Sequence, residues 1–112
     1  MNSPVTWFEI TSPDAGSLRT FYADTFGWSP QPVGGGIDYA TVEPPEGGIG
    51  GGIGDGQAQA IFYIQVDDLQ AMLDRVEAGG GKTVVPVTEI PDMVTFAQFA
   101  DPSGNVVGLV KS

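Results

Sequence analysis

The chain has 112 residues, 41% of them hydrophobic and 16% charged, with 14 acids against four basic residues and a formal net charge of −10. That size and composition describe one globular domain able to bury a core of its own. It contains no Cys and no His. Disulfides, thiol chemistry and imidazole are therefore excluded, and the anionic surface disfavours nucleic acid and anionic membranes as partners.

Met1-Asn2-Ser3-Pro4 shows neither the basic region nor the apolar stretch of a secretory signal, and no apolar run approaches the ~20 residues of a membrane span. The cytoplasm is the expected location. Val5–Ile10 is rich in strand formers. Ser12-Pro13-Asp14 offers a helix cap with Pro at the first helical position. The helix that follows is expected to bury Leu18, Tyr22 and Phe26, with Phe21 and Thr25 beside them, and to end at Gly27. Trp28–Val33 holds two prolines and reads as an edge strand. Ile37–Glu43 and Gly48–Ile53 read as further strands. Gly54–Gln59 is polar and is expected to link two halves.

Ile61–Val66 reads as a strand, followed by a helix capped by Asp67 or Asp68 and burying Leu69, Met72, Leu73 and Val76. Gly79-Gly80-Gly81 ends it. Lys82–Val87 and Met93–Ala100 are predicted strands joined by a loop containing Pro86 and Pro91. Asp101-Pro102-Ser103-Gly104 has the residues of a type I turn, and Asn105–Val110 closes the chain. The two helical patterns, Leu18, Phe21, Tyr22, Thr25 and Leu69, Met72, Leu73, Val76, repeat at an offset of 51 residues. The prediction is an α+β fold of two βαβββ modules, about 4–54 and about 59–111, within a single domain over 1–112.

Trp7-Phe8-Glu9-Ile10, Asp14 and Phe21–Trp28 resemble the opening of the vicinal oxygen chelate proteins, the glyoxalase, bleomycin-resistance and dioxygenase superfamily. Gly47–Ile53 is similar to a glycine-rich fourth strand of one branch, Tyr63–Leu69 to the start of the second half, and Phe99–Asn105 through Leu109 to the closing hairpin. The resemblance implies paired modules whose curved half-barrel sheets enclose a ligand cavity, and a homodimer. It also implies metal ligands on four strands. Carried onto this chain those positions fall at Val5, within Gly48–Ile53, at Ile61 and at Gly108. Val, Ile and Gly side chains donate nothing to a metal, so neither a metal nor another cofactor is expected.

Strand alternation puts Trp7, Glu9, Tyr63 and Gln65 on the face toward the implied cavity, and Phe8 and Phe62 under the helices. Tyr39, Phe96 and Gln98 are further candidates for ligand contact. Trp and Tyr offer flat apolar area with a polar edge, which suits an aromatic or cationic ligand. No serine sits in a nucleophile elbow. Glu9 is the candidate catalytic base, since a carboxylate beside Trp in a half-apolar site can take up a proton. The glycines at 48–54 lack the Lys-Ser/Thr of a phosphate loop and read either as a strand that lets a ligand or another backbone come close or as a simple flexible hairpin. The leading expectation is a metal-independent protein that sequesters or presents a small apolar or cationic molecule. The alternatives are a metal-free isomerase or lyase using Glu9, and an accessory dimer with a vestigial cavity.

Overall fold

The computed structural model describes residues 2–112. They form eight strands and two helices in two βαβββ runs: β1 (Val5–Ser12), α1 (Ala15–Phe26), β2 (Gln31–Pro32), β3 (Tyr39–Val42) and β4 (Gly50–Asp55), then β5 (Gln59–Val66), α2 (Leu69–Ala78), β6 (Lys82–Ile90), β7 (Val94–Ala100) and β8 (Val106–Lys111). The chain divides into two compact units. One is Trp7–Ile61; the other joins the residues up to Thr6 to Phe62–Ser112. The division falls inside β1 and β5. The opening residues go with the later unit because the Gln65 N–H donates to the Pro4 carbonyl at 2.9 Å.

In the unit Trp7–Ile61 the strands run in the order β2-β3-β4-β1. β1 and β4 are parallel, with Trp7 opposite Gly50 and Glu9 opposite Gly52. β3 is antiparallel to β4, with Tyr39 opposite Gly54. Ala40, Val42 and Ile53 are buried here. Asp14 caps α1 by accepting from the Ser17 N–H at 3.2 Å, and Gly27 closes it in the left-handed conformation at φ 75°, as only a residue without a Cβ does at little cost. Pro13 precedes the cap rather than occupying the first helical position.

The expected buried stripe on α1 forms only in part: Leu18 and Tyr22 are half-buried. Phe26 is 61% exposed, Phe21 is 54% exposed, and of the helix only Ala15 is buried. Four of the six residues of β4 are glycine, so that strand offers a helix little apolar surface to bury against. The rings pack on one another instead. Tyr22 stacks on Trp28 with centroids 5.0 Å apart, Phe26 lies 5.8 Å from Tyr22, and Phe8 meets Trp28 at 5.4 Å.

In the other unit the order is β5-β8-β7-β6. β5 and β8 are parallel, with Tyr63 opposite Gly108, and β7 is antiparallel to β8, with Gln98 opposite the same glycine. Here α2 buries Leu69 and Leu73 of its stripe and leaves Met72 and Val76 half-buried. Leu69 and Leu73 join Val66, Ala97 and Leu109 in one cluster, with Ile64, Met72 and Phe99 against it. Phe62, expected beneath a helix, is 43% exposed. β6 runs through Pro86 to Ile90 by shifting register twice, which absorbs the missing N–H. The loop expected around Pro86 and Pro91 is thus only a short turn after Ile90. Likewise the linker expected over Gly54–Gln59 shrinks to three residues between β4 and β5.

The helix caps correct the repeat. Asp68 accepts from the Ala71 N–H at 3.0 Å, as Asp14 does from Ser17. The caps stand 54 residues apart (68 − 14), not 51. The difference is three residues, close to one helical turn. A helical stripe slid by a turn still matches itself, so periodicity reports the face and not the register.

The Asp14 carboxyl is held below the usual carboxylate range by hydrogen bonds from Ser17, the backbone bond foremost. That of Asp101 is lowered chiefly by the Asn105 side chain, with the Asn105 and Ser103 N–H groups adding to it. A folded-state value below the unfolded one contributes stability that is present above about pH 4 and is lost as pH falls through the lowered values. The Asp14→Ala, Asp101→Ala double variant is therefore expected to show a shallower loss of stability than the parent on acidification below pH 4, measured by urea unfolding at stepped pH. Parallel curves would overturn the assignment.

Candidate functional site

Each unit contains aromatic rings laid across glycines of a neighbouring strand. In the unit Trp7–Ile61 the ring of Trp7 crosses toward its register partner, and a Cβ built on Gly50 would meet Trp7 Cζ3 at 3.2 Å. The Tyr39 ring comes from the other side of β4, over Gly52 and Gly54. A Cβ on Gly52 would overlap its hydroxyl end, and one on Gly54 would meet Cδ2 at 2.5 Å. The two rings meet where Trp7 Nε1 donates to Tyr39 Oη at 3.1 Å. Both are half-buried, so each presents part of its surface outward. Gly50 through Gly54 are all buried. The expected close approach at this strand is therefore made by the chain's own side chains, with Phe8 covering Gly51.

Glu9 is half-buried on β1, two residues on from Trp7, and its register partner is Gly52, the glycine beneath the Tyr39 hydroxyl. A carboxylate and an indole N–H on β1 and a phenol on β3 thus flank the glycine strand β4 from its two sides. The set can take a cationic or hydrogen-bonding group against a flat apolar surface.

The second unit repeats the device. The Tyr63 ring lies over Gly108, where any Cβ would overlap it, and reaches β7, so that Gln98 Nε2 donates to Tyr63 Oη at 2.9 Å. Phe96 stands edge-on to Tyr63 with centroids 6.5 Å apart. Tyr63 is only 5% exposed, whereas Gln65, Phe96 and Gln98 are half-buried. Tyr63 supports this surface from within and the other three present it. Of the sequence-derived candidates, the structure thus joins Trp7 with Tyr39, and Tyr63 with Phe96 and Gln98.

The sequence reading missed the supporting glycines. The available signal was strand pairing: four of these glycines sit opposite an aromatic residue, Trp7 with Gly50, Phe8 with Gly51, Tyr39 with Gly54 and Tyr63 with Gly108. A ring leaning over a cross-strand glycine restores the packing that the missing side chain leaves out.

The four strand positions that the resemblance assigns to metal ligands carry no donor side chain. Val5 and Ile61 are aliphatic, and Gly108 lies under Tyr63. Within 48–53, Gly50, Gly51 and Gly52 lie under Trp7, Phe8 and Tyr39. Among the described residues no three acids are grouped to hold an ion. The residues present do not fit a metal of the kind the resemblance implies.

The glyoxalase/bleomycin resistance protein/dioxygenase sequence profile matches residues 5–109. The chain belongs to that superfamily. Among its relatives, CFP32 of Mycobacterium tuberculosis is 31% identical over 113 residues, covering 92% of this chain and 43% of its own length. A glyoxylase-like domain-containing protein of Didymella fabae is 32% identical over 116 residues, covering 94% of this chain and 91% of its own. The chain thus spans less than half the length of CFP32. Among solved structures, methylmalonyl-CoA epimerase from Mycobacterium tuberculosis superposes with a TM-score of 0.69 at 17% identity, covering 96% of this chain and 86% of the epimerase. At that identity the likeness concerns the glyoxalase-like fold alone. No helix among the described residues is long and apolar enough to cross a membrane.

Proposed function

We propose that this superfamily member is a metal-independent small-molecule-binding protein of the glyoxalase/bleomycin-resistance type, which sequesters or presents an apolar or cationic ligand. The observation that carries the reading is the half-exposed Trp7–Tyr39 pair, joined by its hydrogen bond and braced on glycines, with Glu9 on the same strand as Trp7. Rings fixed in place lose little freedom when a flat ligand stacks on them. The net charge of −10 raises the local concentration of cations. In the second unit, Gln65, Phe96 and Gln98 present the corresponding surface over Tyr63. The reading includes a homodimer, for which the apolar rings left open at Phe21 and Phe26 are the support; sedimentation as a monomer at high protein concentration would remove that part.

The test uses two planar dyes, cationic rhodamine 6G and anionic fluorescein, in equilibrium dialysis with EDTA present. Rhodamine 6G is expected to bind saturably and fluorescein not. Trp7→Ala is expected to weaken the cation roughly tenfold, about 1.4 kcal/mol, of the size of a partly desolvated cation–π contact. Equal binding of both dyes, or no effect of Trp7→Ala, would overturn the reading.

The placement of Glu9 beside the glycine under the Tyr39 hydroxyl favours one alternative, a metal-free isomerase or lyase with Glu9 as base. Glu9→Gln separates the two: turnover of a candidate substrate lost with binding kept is the mark of catalysis, whereas a binding protein loses affinity for the cation instead.

A further inference from the structure

A surface depression of about 450 Å³ is lined by Ser3, Met72, Arg75 and Val76. It is open to solvent rather than enclosed, so it would hold the side of a small molecule and not surround it. Arg75 is one of only four basic residues on a strongly acidic chain, and its guanidinium has no carboxylate partner: the single ion pair among the described residues joins Arg19 to Asp38. The acids nearest it in sequence are turned to other work. Asp74 accepts from Gln70 Nε2 at 3.0 Å, and Glu77 accepts from Thr83 Oγ1 at 2.6 Å. No acid stands three or four residues from Arg75 along the helix, the spacing at which helical neighbours pair.

The depression offers both apolar and polar groups. Met72 and Val76 lie one turn before and one residue after Arg75, and Met72 is seated against the buried cluster of this unit. Ser3 adds a hydroxyl. The last carbonyls of α2 do not face the depression as unmet acceptors, since the Gly79 N–H meets those of Arg75 and Val76 at 3.0 and 3.1 Å, and the Gly81 N–H also meets that of Val76 at 2.9 Å.

We infer that this depression binds a small organic carboxylate, its anionic end on Arg75 and Ser3 and its short apolar body on Met72 and Val76. The guanidinium fork matches a carboxylate in two parallel hydrogen bonds. The chain's own negative field opposes the ligand, so a weak affinity, on the order of millimolar, is expected.

The experiment follows backbone amide NMR shifts on addition of hexanoate, with hexylamine, hexanol and inorganic phosphate as comparison ligands. Hexanoate is expected to shift Ser3 and Met72–Val76 saturably. Arg75→Gln, an exposed change whose spectrum also reports folding, is expected to weaken it at least tenfold, and Arg75→Lys to weaken it less. Hexylamine or hexanol binding as well as hexanoate would overturn the proposal by removing the charge requirement. Phosphate binding as well would overturn it by removing the apolar one, as would an unaffected Arg75→Gln or the lack of saturable shifts. Trp7→Ala is expected to leave hexanoate binding unchanged, so the outcome is independent of the rhodamine experiment.

Discussion

Gly108→Val is expected to destabilise the protein by about 3 kcal/mol, the upper part of the range for overpacking. The backbone is not the obstacle, because Gly108 has no positive φ and a β-branched residue suits a strand. The obstacle is the ring of Tyr63: a Cβ on Gly108 would overlap Cδ2, Cε2 and Cγ at once. Cγ is the root of the ring, so no swing of the far end relieves the clash, and at 5% exposure Tyr63 has nowhere to go. The check is urea unfolding of four proteins. Tyr63→Ala alone is expected to lose about 3–5 kcal/mol through its cavity. In that background the valine is expected to cost less than about 1 kcal/mol, a strong coupling of the kind contacting residues show. A full penalty for the valine in both backgrounds would mean that Tyr63 is not what excludes a side chain at this position.

The same position bears on metal chemistry. Glutamate at position 108 is expected to carry the steric penalty without gaining zinc, because the other strand positions supply no donors. Stoichiometric zinc on purified Gly108→Glu, by elemental analysis after dialysis, would contradict the donor-set argument.

Gly51→Ala is expected to cost about 2 kcal/mol by the same mechanism on the helix side of β4. Here the overlap is with Cε2, Cδ2 and Cζ of Phe8, the outer part of the ring. Phe8 is half-buried and can yield, so the penalty is smaller than at Gly108. It yields only by moving against Trp28, at 5.4 Å, which itself stacks on Tyr22. The near-ultraviolet circular dichroism of Trp28 is therefore expected to change together with stability, while the Trp7–Tyr39 pair on the opposite face is kept. An unaltered aromatic spectrum with full stability would show that Phe8 does not occupy the space over Gly51.

These two sites explain the run Gly50-Gly51-Gly52. It forms neither a phosphate cradle nor a loose hairpin. It lets rings from β1 and β3 lie flat over both faces of β4, and Gly108 does so for Tyr63 on one face of β8. In each unit an aromatic residue crosses the glycine strand to a hydrogen-bond partner on the strand beyond, Tyr39 with Trp7 and Tyr63 with Gln98. That common arrangement is a second expression of the repeat, and one that periodicity does not display.

The elements that could be read from the sequence are those whose signals are local. Strand alternation separated Trp7 from Phe8 on β1 and Tyr63 from Phe62 on β5, whereas Tyr39, Phe96 and Gln98 on other strands were candidates that only strand register joined to them. Gly27 and the Asp101–Gly104 turn are backbone chemistry and were equally plain. The stripe on α1 is met only at Leu18 and Tyr22, because its burial depends on what β4 presents, and glycine presents almost nothing. The repeat offset failed because a helical stripe matches itself one turn along, whereas a cap is a single residue. The course of β6 through Pro86 depends on bulges that its partner strand accommodates.

The sequence by itself determined the two βαβββ runs, the want of any imidazole or thiol, and the aromatic residues available to a ligand, since each follows from residue type and near-neighbour spacing. Only the tertiary structure decided which glycines carry those rings, which helix buries its apolar face, and that Arg75 stands without an acid beside it. Those outcomes depend on contacts between residues far apart in the chain, where strand register and the space over a missing side chain set the result.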